Sequence, residues 1–231
     1  MVFTDRIDAG RQLCDALKHY KGQDAVVYAL PRGGVVVAAE IARSLNVPLD
    51  VIVVRKVGHP FSPEYAIAAV AEDGHMVTNR GEVESVDKRW FNESVRAQQQ
   101  EVRRRRELYT RGRKPISAAG KTAIIVDDGL ATGLTMFAAI QEVRHSEPSK
   151  VVVAVPVAPP QIIEKLRTVV DDVVALHVIA DFQAIGAFYV EFNQVTDSEV
   201  VELMRTAGRV GFHGLLETGV INDANHNHRA R

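Results

Sequence analysis

Five continuous apolar runs, each leading into a turn and then a helical pattern or polar segment, constrain this chain more than any other feature. The runs are Ala25–Leu30 (AVVYAL), Pro48–Arg55 (PLDVIVVR), Lys121–Val126 (KTAIIV), Lys150–Val155 (KVVVAV) and Asp172–Val178 (DVVALHV). Unlike strictly alternating segments, such runs suit strands covered on both faces. Between them, Val35, Ala38, Ala42 and Leu45 recur at helical spacing, as do Met136, Ala139, Ile140 and Val143. Gln161–Thr168 reads as a short helix. Strands that alternate with helices require right-handed crossovers between parallel neighbours. The expected fold is α/β: an open, mostly parallel twisted sheet flanked by helices.

Between Ala66 and Gly120 the rhythm breaks. Ala66–Glu72 and His75–Thr78 read as a hairpin turning at Asp73-Gly74, and Ser85–Tyr109 as a long polar helix. That helix has only Trp90, Val95, Val102 and Leu108 as apolar points, so it is expected on the outside. The length fits one domain over residues 1–221 with an insertion at about 66–120. The tail, residues 222–231, is polar and unpatterned and is expected to fray. Its His226 and His228 would bind metal only adventitiously.

Composition excludes several classes of function. At 46% hydrophobic and 25% charged the chain is globular rather than disordered. A net charge of −1 argues against a generic polyanion binder. The Arg103–Arg106 run is tempered by Glu101 and Glu107, and four consecutive helical positions point in four directions. It reads as a solvated helix face, not a nucleic-acid stripe. Cys14 is the single cysteine, which rules out an intrachain disulfide and a cysteine metal cage. The opening MVFTDRIDAG lacks the order of a secretion signal, and the longest apolar stretch, Val151–Pro160, is broken by prolines. A cytoplasmic protein with no membrane partner is expected.

The chemistry concentrates in Ile124–Thr135 (IIVDDGLATGLT). A buried strand ends in two carboxylates, and a small-residue turn with hydroxyls then opens a helix. Ligands of open α/β sheets bind at the carboxyl ends of strands. The turn offers free backbone N–H groups and the positive end of a helix dipole, which suits a phosphate. Gly129 and Gly133 permit close approach, and Thr132 and Thr135 add hydroxyl donors. Asp127 and Asp128 cannot face that phosphate without repulsion, so they should hold something hydroxylated or cationic. A ribose attached to the phosphate satisfies both demands. At the first strand's end, Leu30-Pro31-Arg32-Gly33-Gly34 combines a guanidinium fork with glycine N–H groups, a cradle for a diphosphate. Arg55 and Lys56 close the second run, and a Gly/Pro-rich loop with His59 follows.

The 124–135 stretch resembles the 5-phosphoribosyl-1-diphosphate (PRPP) signature of type I phosphoribosyltransferases: apolar strand, two acids, three variable residues, then Thr-Gly-x-Thr. It departs at Leu134, where many members carry a second glycine. Leu30–Gly34 resembles the family's pyrophosphate loop. The resemblance runs over about Ala25–Val155. It implies displacement of diphosphate from PRPP by a nitrogenous base, through a transition state with oxocarbenium character, aided by Mg²⁺. It implies that Asp127, Asp128 and Lys56 act in catalysis, and that Asp127, Asp128, Gly129, Leu130, Ala131, Thr132, Gly133, Leu134 and Thr135 hold PRPP. Arg32, Gly33, Gly34, Arg55, Lys56 and His59 would hold the diphosphate, His59 on a mobile closing loop. The Mg²⁺ would ride on PRPP oxygens and water, with no ligand set from the protein. A base or nucleoside monophosphate is the implied second ligand, and a homodimer the default assembly.

In this family the acceptor base sits under a variable hood, often stacked on aromatic rings. Asp181–Gln194 is rich in aromatics, and Tyr189, Phe192 and Gln194 are the candidates for base contact, with ordinary core packing as the competing reading for the rings. Asp197 reads as the cap of the following helix. A PRPP- or nucleotide-binding regulator without turnover is the alternative function. A phosphoacceptor signalling domain fits poorly, because the hydroxyl–glycine loop follows the acids directly.

Overall fold

A computed structural model describes residues 3–210; the predicted tail with His226 and His228, and the predicted boundary at residue 221, lie outside the described residues. The chain opens with α1 (Arg6–Leu17), which leads into β1 (Ala25–Ala29), α2 (Gly33–Leu45) and β2 (Leu49–Val51). An excursion follows, comprising β3 (Arg55–His59), β4 (Ser62–Val70), β5 (Met76–Thr78), α3 (Arg80–Ser85) and α4 (Lys88–Thr110). The main sheet then resumes with β6 (Thr122–Val126), α5 (Leu134–Arg144), β7 (Lys150–Ala158), α6 (Pro160–Arg167) and β8 (Asp172–Val178), and α7 (Asp197–Val210) closes the described chain.

The main sheet runs β2-β1-β6-β7-β8, with all neighbours parallel. Apolar residues cover it on both faces, as its continuous runs predict. Val27 and Ala29 of β1 and Ile124 and Val126 of β6 face one core, built with α1, α2, α4 and α7. Val26, Tyr28, Ala123 and Ile125 face the other, built with α5 and α6. The chain leaves β1 toward β2 and returns on β1's other side as β6. Strand order therefore reverses between β1 and β6, and their carboxyl ends flank the crevice where such sheets bind ligands.

The excursion differs from the prediction in three ways. The second apolar run leaves the main sheet at Val51, because β1 turns away at Leu30–Pro31; Ile52 N–H still reaches the Ala29 carbonyl at 3.0 Å. Arg55 then starts a separate antiparallel sheet, β3-β4-β5, where a simple hairpin was expected. The expected Gly/Pro loop after Lys56 is the β3–β4 hairpin itself, bulged where Gly58 presses on Pro63; a Cβ on Gly58 would lie 2.0 Å from the Pro63 carbonyl oxygen.

The long helix is anchored, not merely laid outside. Phe91, Val102 and Tyr109 are buried, while the predicted apolar point Leu108 is exposed. The arginine run is a solvated face at Arg103 and Arg104 only. Arg106 is buried and forms a two-pronged pair with Asp50 of β2, both N···O distances 2.8 Å. A guanidinium fork matched to a carboxylate is the geometry that makes a buried ion pair tolerable. Among the described residues no helix is long and apolar enough to cross a membrane.

Candidate active site

Residues at the carboxyl ends of β1 and β6 build the site. Ala29 pairs with Val126, and Leu30 N–H donates to the Val126 carbonyl at 2.9 Å, so the two following turns lie side by side. Glycines make the contact possible. A Cβ on Gly34 would sit 2.9 Å from Asp127 Cα and from the Val126 oxygen, and one on Gly33 only 1.9 Å from Asp128 Oδ2. The first turn's glycine pair thus brings the start of α2 against the acid pair of the second. The intervening Pro31–Arg32 peptide is cis.

Together the turns line an open cleft. Its polar wall is Asp127, Lys56, Thr132 and Thr135, with the backbone of Gly129–Gly133. Its apolar wall includes Leu30, Pro31, Ile52, Val54 and Ile185. Gly133 precedes α5 at φ 75°, in the left-handed region that glycine enters without cost. The first N–H groups of α5 have no acceptor one turn back within the helix, so they and the helix dipole favour an anion at this end. Ala131 and Thr132 are exposed and reachable.

The two acids have separate environments. Asp127 lines the cleft, and its Oδ1 accepts the Asp128 N–H at 2.8 Å. Burial, and then the charge of Asp128, push its carboxyl well above the ordinary range, with Lys56 pulling the other way. A hydroxyl donor or a cation arriving in the cleft would relieve that cost. Asp128 turns away. Its Oδ2 accepts from Arg6 Nε at 2.7 Å, and its backbone carbonyl accepts the Tyr189 hydroxyl at 2.6 Å.

The predicted site residues divide accordingly. Asp127, Gly129, Leu130, Ala131, Thr132, Gly133, Thr135 and Lys56 share the cleft; Leu134 begins α5 beside it. Gly33 and Gly34 support it from behind. Arg32 reaches toward α7, 3.7 Å from Asp197. Arg55 neighbours Lys56 in a strand, so it takes the opposite face, where Nε donates to Gln98 at 3.1 Å. His59 ends β3 at the β3–β4 turn, against Phe61. Tyr189 is buried against Phe3, and its burial raises the phenol well above its usual range. Phe192 covers the Arg6 guanidinium at 3.8 Å, and Gln194 borders a separate shallow groove. None of these last three lines the cleft; Ile185 of the same segment does.

Reasoning from sequence missed Arg6, Ile52, Val54 and Ile185. Arg6 lies in α1, where no motif marks it. The cap of α7 is Thr196, not Asp197: Thr196 N–H donates to Glu199 Oε2 at 2.7 Å, and Glu199 N–H donates back to Thr196 Oγ at 3.2 Å. Asp197 is freed to accept the Tyr109 hydroxyl at 2.6 Å.

Comparison with known proteins finds relatives over most of the chain. A family model described as "Phosphoribosyl transferase domain" matches residues 7–191. Two curated Mycobacterium tuberculosis proteins, from strains CDC 1551 and H37Rv, both named "Putative phosphoribosyl transferase", are 45% identical over 225 residues, which is 96% of this chain. The chain spans about half, 50%, of the length of these relatives. The crystal structure of TT1426 from Thermus thermophilus is 44% identical, with a TM-score of 0.74, and the match covers 88% of this chain and 98% of that one.

Proposed function

This chain belongs to the phosphoribosyl transferase domain family, and from that premise we propose that it moves a 5-phosphoribosyl group between PRPP and a nitrogenous base, releasing diphosphate. One observation carries the reading: a carboxyl, a lysine and an open helix N-terminus share a single cleft at the strand-order reversal. Such a set of groups suits one ligand that carries both hydroxyls and anionic oxygens.

In this reading the N–H groups at the start of α5, with Thr132 and Thr135, bind the 5-phosphate and fix the sugar. Asp127 accepts from the ribose hydroxyls and offsets positive charge that develops on the ring. Asp128 acts through position: held by Arg6, it keeps the turn in register and adds negative potential behind Asp127. Lys56 neutralises the departing diphosphate, next to the N–H groups of the glycine turn. Ile52, Val54 and Ile185 shield the reacting carbon from water and offer an apolar wall to a planar base.

Mg²⁺ fits this donor set in one way. The cleft presents a single carboxylate, Asp127, and among the described residues no cluster of three metal-ligating side chains lies at the cleft. A Mg²⁺ here would take its remaining oxygens from diphosphate and water, as this ion commonly does. When bound it supplies charge neutralisation on the diphosphate oxygens.

A second reading rests on the Asp128–Arg6 pair. With one of the two acids committed to the protein, the cleft would suit a PRPP- or nucleotide-binding regulator equally well. Diphosphate release measured with PRPP, Mg²⁺ and a panel of purine and pyrimidine bases separates the two. Release with any base supports the transferase. PRPP binding without release from any of them supports the regulator.

A further inference from the structure

Away from the cleft, the β4–β5 turn and the C-cap of α5 bring Asp73, His75 and His145 together. Each offers one ligand atom, and these atoms lie within 4.8 Å of one another. His75 Nδ1 bonds Asp73 Oδ2, and the same oxygen lies 4.0 Å from His145 Nδ1. The two imidazoles stack, with centroids 3.7 Å apart and planes inclined by 38°. Among the described residues no other three His, Cys, Asp or Glu side chains meet in this way.

We infer that Asp73, His75 and His145 form a binding site for a divalent transition-metal ion of the zinc class, with water completing the shell. Tetrahedral zinc at its usual bond lengths spaces its donors by about 3.3 Å, inside the 4.8 Å that spans these ligand atoms. For His145 the neighbouring carbonyl selects which nitrogen is free: the Gln141 oxygen accepts from Nδ1 at 2.8 Å, leaving Nε2 as the acceptor nitrogen. For His75 the ion would sit beside Nδ1, which faces the Asp73 carboxylate. Two imidazoles with one carboxylate favour zinc, nickel or copper over magnesium or calcium. Asp73 and His145 are exposed, so the ion has a path in. The site would pin the small sheet, which carries Lys56, to α5, whose other end forms the candidate phosphate loop.

The test is Zn²⁺ alone, titrated by calorimetry into the metal-stripped full chain, with melting followed in parallel. One ion should bind per chain and raise the melting temperature, because a ligand that prefers the folded state stabilises it. The double variant His75→Ala/His145→Ala, and separately Asp73→Asn, should weaken binding at least tenfold while melting like the parent without metal. A His226→Ala/His228→Ala variant should bind as the parent does. Absence of binding in the parent, unchanged binding in the first two variants, or loss in the tail variant would each overturn the proposal.

Discussion

Arg6 Nε meets Asp128 Oδ2 at 2.7 Å across 122 residues of sequence. The pair is nearly closed off from water, with side chains 10% and 12% exposed. Arg6 also donates to the Asn193 carbonyl at 2.8 Å beneath the Phe192 ring. The first helix and the segment after the last strand are thereby tied to the acid pair, and Asp128 is kept from the cleft.

Removing one partner of such a pair strands the other. Arg6→Met is expected to cost about 3–5 kcal/mol, because a buried carboxylate loses its counter-charge. Adding Asp128→Asn should recover part of that loss. Denaturant unfolding of the two single variants and the double variant measures the coupling; additive losses would show that the pair contributes nothing to stability.

Gly34 is expected to tolerate no side chain. Gly34→Ala places a methyl 2.9 Å from backbone atoms of Val126 and Asp127, which cannot rotate away. A loss of about 1–3 kcal/mol should follow. Gly81→Ala in α3, where a Cβ meets nothing closer than 4.0 Å, should be neutral or stabilising by about 0.4–1 kcal/mol. Thermal melts of both variants make the comparison.

Asp127→Asn should separate stability from function. Burial makes the charged carboxylate costly in the folded protein, so the neutral amide should melt at the same temperature or higher at pH 8. Turnover in the diphosphate-release assay should fall by about two orders of magnitude or more. Full activity in this variant would remove Asp127 from the chemistry.

Glu142 of α5 gives a pH dependence. Burial, with Asp73 and Glu72 nearby, pushes its carboxyl from 4.5 up to about 8, against the opposing charge of Arg106. Between these values the folded state holds a proton that the unfolded chain has released. Stability from this group is therefore full below pH 4.5 and declines as pH rises toward 8. Glu142→Gln should flatten that decline and add about 1–3 kcal/mol at pH 9. Urea unfolding across this range, with chelator present, checks the sign.

The main sheet was legible in the sequence because its strands are apolar on both faces, and a continuous run such as Ile124–Val126 has few other ways to be buried. The turn at 127–135 was legible because glycines, hydroxyls and acids are spaced locally. What escaped was set by distance in the chain. Nothing near Arg6 announces Asp128, and nothing in the arginine run singles out Arg106, whose burial depends on Asp50 in another strand. The opposite facing of Arg55 and Lys56 follows from strand periodicity, once that segment is known to be a strand and not the end of one. In the aromatic segment Tyr189 and Phe192 pack around Asp128 and Arg6, which matches the core-packing reading of the rings, while the less conspicuous Ile185 reaches the cleft.

Calorimetric titration of PRPP with Mg²⁺ into the purified chain asks whether the cleft between the β1 and β6 turns holds a sugar phosphate. One site per chain is expected, weakened at least about fivefold in Thr132→Val and in Asp127→Asn, in keeping with the loss of about 1–3 kcal/mol of charge-assisted hydrogen bonding. No binding to the parent chain, or equal affinity in all three proteins, would contradict it.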